Sequence, residues 1–488
     1  MADSLRAKTI NALSWSFVES VVRRGIQFIV SIILARLLFP AQFGLIGMLL
    51  VFMAVARIFV ESGFGAALIQ KRETTATDIC SIFYFNVLVG LLSAGSLCLV
   101  APWIAAFYKQ PVLSPLMRVL SLTIIIDSFR IIQETLFKKE INFKVLTERS
   151  LVAGLLSGAV GIGFAVAGFG VWSLVAQQVS ASFFRTISLW VLSPWRPALI
   201  FSFAALRKMF GFGSRILFSG LLNQIFDNIY YLVIGKLFSA ADLGLFTRAR
   251  TMQDLPSQTL SDVVGRVAFP VFSKSQDDPA RLKKRLARAL TVLVLLNFPM
   301  MVGLAVTARP LVVALLGVKW AGCIPYFQLL CVLGLLYPLQ AINMNLILSV
   351  GRSDLLMRLQ IIKQVLIVLN IVITWRWGIS AMIYGMIVQS VIAYYLNSYY
   401  TRILIGYPIG EQLKDLFPYL AAAALMGMAA FSVGLLRFPN HFVMLFVQAL
   451  VGVIVYVGLC WGFRLAAFVE VRREVCDRIP FLSTDATG

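Results

Sequence analysis

Eleven Arg and Lys residues stand inside long apolar runs of this chain: Arg23, Arg24, Arg57, Arg118, Arg130, Arg185, Arg215, Arg248, Arg250, Arg266 and Lys363. A charge at the centre of a membrane span costs roughly 3 kcal/mol on insertion scales, and it persists where it faces protein or a water-filled cavity. Their spacing is helical. Glu19, Arg23 and Gln27 stand at i, i+4 and i+8, with Arg24 beside them; Arg57 and Glu61 stand at i and i+4. Asn223, Asp227 and Tyr230 share a face in a run that also holds Arg215. Thr247, Arg250, Asp254, Gln258, Ser261 and Gly265 share another, flanked by Arg248, Asp262 and Arg266. The basic groups of these four runs are all arginine, and their acids are Glu19, Glu61, Asp227, Asp254 and Asp262. Arginine offers a planar fork to phosphate and keeps its charge when partly buried. The chemistry this points to is binding of an anion inside the membrane. Taken singly, Glu19–Arg23 and Arg57–Glu61 are equally consistent with internal pairs that only stabilise packing. Asp127, Arg130 and Glu134 fit a local i, i+3/i+4 network, and Arg185 fits a snorkelling side chain near a span end.

The elements that position these residues follow from composition. The 488 residues are 60% hydrophobic and only 13% charged, and the mean hydropathy is +0.87. Such a chain sits in lipid, and runs of about 20 apolar residues cross it as helices. Fourteen runs are counted between residues 10 and 463, giving an all-α polytopic membrane protein. The first run is expected to stay, because it carries Arg23 and Arg24 mid-span and has no small-residue cleavage site. With the N-terminus placed inside, 25 Lys and Arg fall in inside segments and seven in outside loops. That asymmetry predicts both termini in the cytoplasm, and it accounts for most of the net charge of +21 without a nucleic-acid partner. Trp103, Trp172, Trp190, Trp195, Trp320, Trp375 and Trp377 fall near span ends, as in an interfacial belt, and Tyr394 and its neighbours fit the same class. Pro256 and Pro270 in the eighth run and Pro299 in the ninth weaken the helix ladder and allow bending. The basic, mildly amphipathic tail is read either as lying on the inner leaflet or as solvated.

ARLLFPAQFGLIG at 35–47 and GKLFSAADLGLFT at 235–247 align at an offset of 200: Leu37, Ala41, Gly44 and Leu45 match Leu237, Ala241, Gly244 and Leu245. Arg36 meets Lys236, and Gln42 meets Asp242. The copies join runs one to two and seven to eight. Six runs separate them, an even number, so the halves enter the membrane in the same direction. This is a parallel repeat of the kind transporters use. The expected organisation is a first lobe of six helices over 1–200, a second over 201–405, an extra helix pair over 406–465 and a tail over 466–488. Runs one, two, seven and eight are expected to line one cavity between the lobes.

Enzyme chemistry has little to stand on. The lone His441 has no ligand partners at metal spacing, the six Cys are scattered without a CxxC, and there is no P-loop or GxSxG. A transporter without metal or organic cofactor is expected, with a membrane-embedded glycan-handling enzyme as the lesser alternative.

The two turn segments, with ESGFGAALIQK at 61–71, DNIYYLVIGKLFSAADLGLFTRARTMQDLP at 227–256 and VAFPVFSK at 267–274, resemble the Wzx-type polysaccharide flippases, in particular the colanic-acid and teichuronic-acid exporter branch. That family lies in the multidrug/oligosaccharidyl-lipid/polysaccharide exporter superfamily. The resemblance implies a V-shaped pair of lobes with alternating access in a bacterial inner membrane. It implies an undecaprenyl-pyrophosphate-linked oligosaccharide as substrate, for surface polysaccharide synthesis, with a polymerase or export complex as a further partner. It places Arg23, Arg24, Arg57, Arg248 and Arg250 at the pyrophosphate. Glu61, Asp227, Asp254 and Asp262 would pair with these arginines in one state, or carry a coupling H⁺ or Na⁺. The alternative within the superfamily is a cation-coupled multidrug exporter, whose cationic substrates call for acids rather than an arginine excess.

Overall fold

The computed structural model describes residues 24–61, 64–71, 74–140, 143–436 and 438–478, except for the side chains of 66, 143, 208–216, 219 and 474–478. Every apolar run is helical where it is described. In order the helices are α1 (24–37), α2 (Pro40–Glu61), α3 (Phe64–Gln70), α4 (Ala76–Tyr108), α5 (Leu113–Lys139), α6 (Phe143–Val166), α7 (Trp172–Leu192), α8 (Phe203–Leu237) and α9 (Ala240–Ser273). Then come α10 (Pro279–Val306), α11 (Ala308–Leu316), α12 (Ile324–Ser349), α13 (Ser353–Thr374), α14 (Ile379–Ile405), α15 (Ile409–Gly434), α16 (His441–Gly462) and α17 (Ala466–Arg478). The run 42–70 is shared between α2 and α3. Among the described residues nine helices are long and apolar enough to cross a membrane: α2, α4, α6, α10 and α12 to α16. Helices α5, α7, α8 and α9 have the length but a more polar sequence.

Two compact units divide at Thr247/Arg248, inside α9. In the first, α4 packs along α5, α6 along α7, α5 along α7, and α2 along α8. The repeated turn lies wholly within this unit, and its chemistry repeats with its sequence. At the start of α2 the Phe39 N–H donates to Gln42 Oε1 at 2.9 Å. At the start of α9 the Ser239 N–H donates to Asp242 Oδ2 at 3.3 Å. In each copy the third helical residue reaches back to satisfy the backbone in front of the helix, half of a capping box. Two residues further on, the copies touch. A Cβ on Gly44 would sit 1.6 Å from the Ala240 carbonyl oxygen, and one on Gly244 would sit 1.9 Å from that of Pro40. Only glycine permits this reciprocal approach of two helix starts. The motif is stated twice because the two copies pack against each other.

The second unit is built on α10, which contacts α12, α15 and α17. Leu282, Leu286, Leu290, Leu293 and Asn297 form a buried stripe along it. The extra pair α15 and α16 belongs to this unit. The prolines do not end their helices: α9 continues through Pro256 and Pro270, and α10 through Pro299. A proline has no N–H for the carbonyl four residues earlier, and in lipid that carbonyl needs another donor. Pro338 in α12 frees the Gly334 carbonyl, which accepts from Asn297 Nδ2 of α10 at 3.1 Å and from Ser257 Oγ of α9 at 3.5 Å. Pro299 frees the Leu295 carbonyl, which accepts from Tyr456 Oη of α16 at 2.9 Å. The tail helix α17 docks on α10 through buried Ala467, with Leu465 just before it, and by an Arg288–Glu470 ion pair at 2.7 Å.

Two aromatics read as interfacial are interior. Trp320 is fully buried, because a 3-10 turn over Val318–Cys323 folds it inward. Tyr394 is buried and donates to Gln412 Oε1 at 2.9 Å.

Candidate functional site

On α5, Asp127, Arg130, Glu134 and Lys138 recur at i, i+3, i+7 and i+11. At about 100° per residue they project from a single face. On α2, Arg57 and Glu61 project together at i and i+4. Packing of these helices within the first unit brings both sets, with Arg185 of α7, around a cavity of about 610 Å³. Its apolar wall includes Ile58, Val60, Ile69, Ile124, Ile131 and Leu217.

The charges are ordered. Arg57 Nε lies 3.9 Å from Asp127 Oδ2, and Arg130 Nη2 lies 3.3 Å from Asp127 Oδ1. Arg130 Nη1 is bonded to Glu134 Oε2, and Lys138 Nζ lies 2.8 Å from Glu134 Oε1. Five side chains thus alternate in sign along a line: Arg57, Asp127, Arg130, Glu134, Lys138. The ends of the line are wet and its middle is dry: side-chain exposure runs 47%, 14%, 13%, 27% and 45% in that order. Arg130 Nε is buried with no hydrogen-bond partner. Glu61 lines the cavity and makes no ion pair among the described residues. Four basic and three acidic side chains line the space, so it carries one surplus positive charge when all are ionised. Arg185 also lines a smaller cavity with Gln27, Ser150, Ser157 and Gln177, so it stands between two polar spaces.

Of the residues singled out in the sequence, Arg57 and Glu61 line this cavity. Asp227, on α8, is exposed. Arg24 is half-buried on α1. In the second unit, Arg250 pairs with Asp254 on α9 at 3.5 Å, while Asp262 and Arg266 are exposed. Arg248 is 3% exposed, and its guanidinium stands 5.5 Å over the Trp320 ring. That is a packed cation–π position, not a position lining open space. Glu19 and Arg23, and the side chain of Arg215, lie outside the described residues. The reading from sequence did not place Lys138 and Arg185 at a site, and it treated Asp127, Arg130 and Glu134 as a local network. They are such a network, and they also line the cavity. The available signal was the alternation of sign on one face of a single apolar run.

A family profile described as "Polysaccharide biosynthesis protein" matches residues 33–325, which include every residue of this cavity. The chain belongs to that family. Within the family's reach, it is 29% identical over 379 residues to "Lipopolysaccharide biosynthesis protein WzxC" of Escherichia coli (strain K12), covering 76% of each chain. It is 27% identical over 429 residues to "Teichuronic acid biosynthesis protein TuaB" of Bacillus subtilis (strain 168), covering 84% of this chain and 85% of that one. Its fold is similar to that of a solved structure described as "Lipid II flippase MurJ, inward closed conformation", with a TM-score of 0.73 at 13% identity, over 93% of this chain and 98% of that one. The resemblance to the polysaccharide exporters and the all-α polytopic class are borne out. Family and fold are those of a membrane transporter of polysaccharide biosynthesis, not of an enzyme.

Proposed function

We propose that this family member is a flippase for oligosaccharide repeat units carried on undecaprenyl pyrophosphate. It moves them across the bacterial cytoplasmic membrane by alternating access, with fourteen spans and both termini inside. The observation that carries this reading is the cavity of the first unit. It is an intramembrane space with a surplus positive charge; three of its four cations are arginines, and one of them, Arg130, is held dry at the middle of the ion-pair line. A pyrophosphate headgroup is the membrane-borne anion that suits it, and the glycan-handling relatives and the flippase fold agree with that choice. Arg57 contributes to headgroup binding from α2, and Arg250 of α9 is a separate candidate for an anion contact in the second unit. Glu61, a cavity carboxylate with no ion pair among the described residues, is the leading candidate for coupling to H⁺ or Na⁺, with Asp227, Asp254 and Asp262 as further candidates.

The test is a flipping assay with purified protein in liposomes carrying an undecaprenyl-pyrophosphate-linked oligosaccharide. Wild type is expected to move the lipid outward, and a folded Arg57→Ala/Arg250→Ala protein is expected to lose at least tenfold in rate. Efflux of a cationic dye with no lipid movement under any ion gradient would replace this reading by that of a multidrug exporter. Full activity in Glu61→Gln would remove Glu61 from the coupling step.

A further inference from the structure

The five-membered line of charges raises a question that cavity volume alone does not. Each of its cations faces a carboxylate, so an incoming anion competes with that carboxylate for the cation. The line also has direction. From Asp127 to Lys138 it spans eleven residues of α5, about 16 Å of helix, or roughly half the hydrocarbon thickness of a bilayer. Lys138 is at the end of α5 that the charge count places inside, and it is wet. Arg130 is deep and dry, with one N–H left without a partner.

We propose that this line is a loading track for a pyrophosphate oxyanion. The headgroup enters at Lys138, displaces Glu134 from it, and next takes the Glu134 face of Arg130. It then reaches Arg57 by exchange with Asp127. Each step swaps one oxyanion for another on the same cation, so no guanidinium is left bare in the low-dielectric middle of the span. Glu134 is the competing anion that releases the headgroup, and Arg130 is the positioning residue through which the headgroup passes. The track rests on the flippase reading for its substrate, but it assigns different residues, on α5 rather than on α2 and α9, and a different role to the acids.

A merely structural ion-pair line and a track predict opposite signs for one variant. The probe is inorganic pyrophosphate titrated against purified full-length protein, followed by calorimetry and by the shift in thermal unfolding. On a track, Glu134→Gln removes the competitor: pyrophosphate binds at least threefold more tightly, while flipping of the lipid-linked oligosaccharide slows at least fivefold. Arg130→Gln weakens pyrophosphate binding at least tenfold. Lys138→Gln, at the exposed end and therefore the safer fold, weakens it about threefold. The same order of affinities must hold for undecaprenyl pyrophosphate in nanodiscs. If the order holds for the inorganic anion alone, the site is not a lipid-headgroup track and the proposal falls. Unchanged or weakened binding in Glu134→Gln, or unchanged binding in Lys138→Gln, overturns it as well. Those results would leave the flippase reading standing if wild type still flips the lipid. Pyrophosphate binding that follows the track's order of affinities without any wild-type flipping would instead keep the anion site and sink the flippase reading.

Discussion

The two units bury polar groups in opposite ways. In the first, the polar interior is charged: Arg57, Asp127, Arg130, Glu134 and Lys138 alternate around an open cavity, and one surplus cation remains. In the second, Arg248 lies over the Trp320 ring and Arg250 pairs with Asp254, but along α10 the buried polar groups are neutral and answer a definite backbone debt. Asn297 and Ser257 serve the carbonyl that Pro338 leaves free, and Tyr456 serves the one that Pro299 leaves free. No cavity is needed for the second kind, since the partner is backbone. The difference separates two reasons for polarity inside a membrane. Neutral side chains aimed at a proline-freed carbonyl are explained once that carbonyl is counted. Charged side chains around a void with an unbalanced sum leave room for an anionic ligand, which is the partner proposed above.

The largest expected effect is at Arg130, where the contrast can be broken. Arg130→Met leaves Asp127 and Glu134 facing each other without their shared cation. Removing one partner of a buried ion pair costs about 3–5 kcal/mol, so unfolding of the detergent-solubilised protein should move to clearly lower temperature. Replacing a buried pair with apolar groups of similar size is often neutral. Asp127→Leu/Arg130→Met should therefore regain most of the lost stability, with Glu134–Lys138 intact and Arg57 still hydrated. Transport should stay at least tenfold down in both variants. If the double variant transports normally, the charges of the first unit are structural, like the neutral groups of the second.

How far this contrast could be read from the sequence depends on what a linear pattern encodes. The apolar runs and the offset-200 turn are local and periodic, and they carried the helical class and the repeat. The cap pair Gln42 and Asp242 was visible as an alignment, but the mutual contact of Gly44 and Gly244 was not, because a sequence does not say that two copies of a motif meet. The same limit applies to the cavity. Asp127, Arg130 and Glu134 were legible as one face of a helix, whereas the partner Arg57 lies seventy residues earlier and is brought near by packing alone. Arg248 and Arg250 show a finer failure. Two positions apart, they are rotated by about 200° around the helix axis, so both cannot face the same space. Arg250 stays half-buried with Asp254, and Arg248 turns to the Trp320 ring, which a short 3-10 turn had already drawn inside.

In the second unit, Asn297→Leu sharpens the comparison with a middle-sized effect. The Gly334 carbonyl would keep only the long 3.5 Å contact from Ser257. A buried acceptor left nearly unmade costs about 1–3 kcal/mol. Stability should fall by that amount in chemical or thermal unfolding. Transport per folded molecule should change less than threefold, in contrast with Arg130. A large loss of transport without loss of stability would mean that the neutral seam also handles substrate.

The smallest effect is the most exact test of the proline argument. Tyr456→Phe removes the hydroxyl that satisfies the Leu295 carbonyl and should cost about 1–2 kcal/mol. The cause named here is Pro299, so the cost must depend on it. Pro299→Ala returns an N–H to the helix ladder at the position that can reach Leu295, and Tyr456 then becomes redundant there. In the Pro299→Ala background, Tyr456→Phe should cost less than half as much as in wild type, a coupling that a double-mutant cycle on thermal unfolding would resolve. Equal costs in both backgrounds would show that Tyr456 contributes by packing on α10 and not by discharging its carbonyl. The cycle also reports on motion. With the ladder restored, α10 loses its weak point, so a transport cycle that bends α10 at Pro299 should slow in Pro299→Ala even as the protein becomes more stable. A cycle that moves α10 as a rigid rod should be indifferent to it.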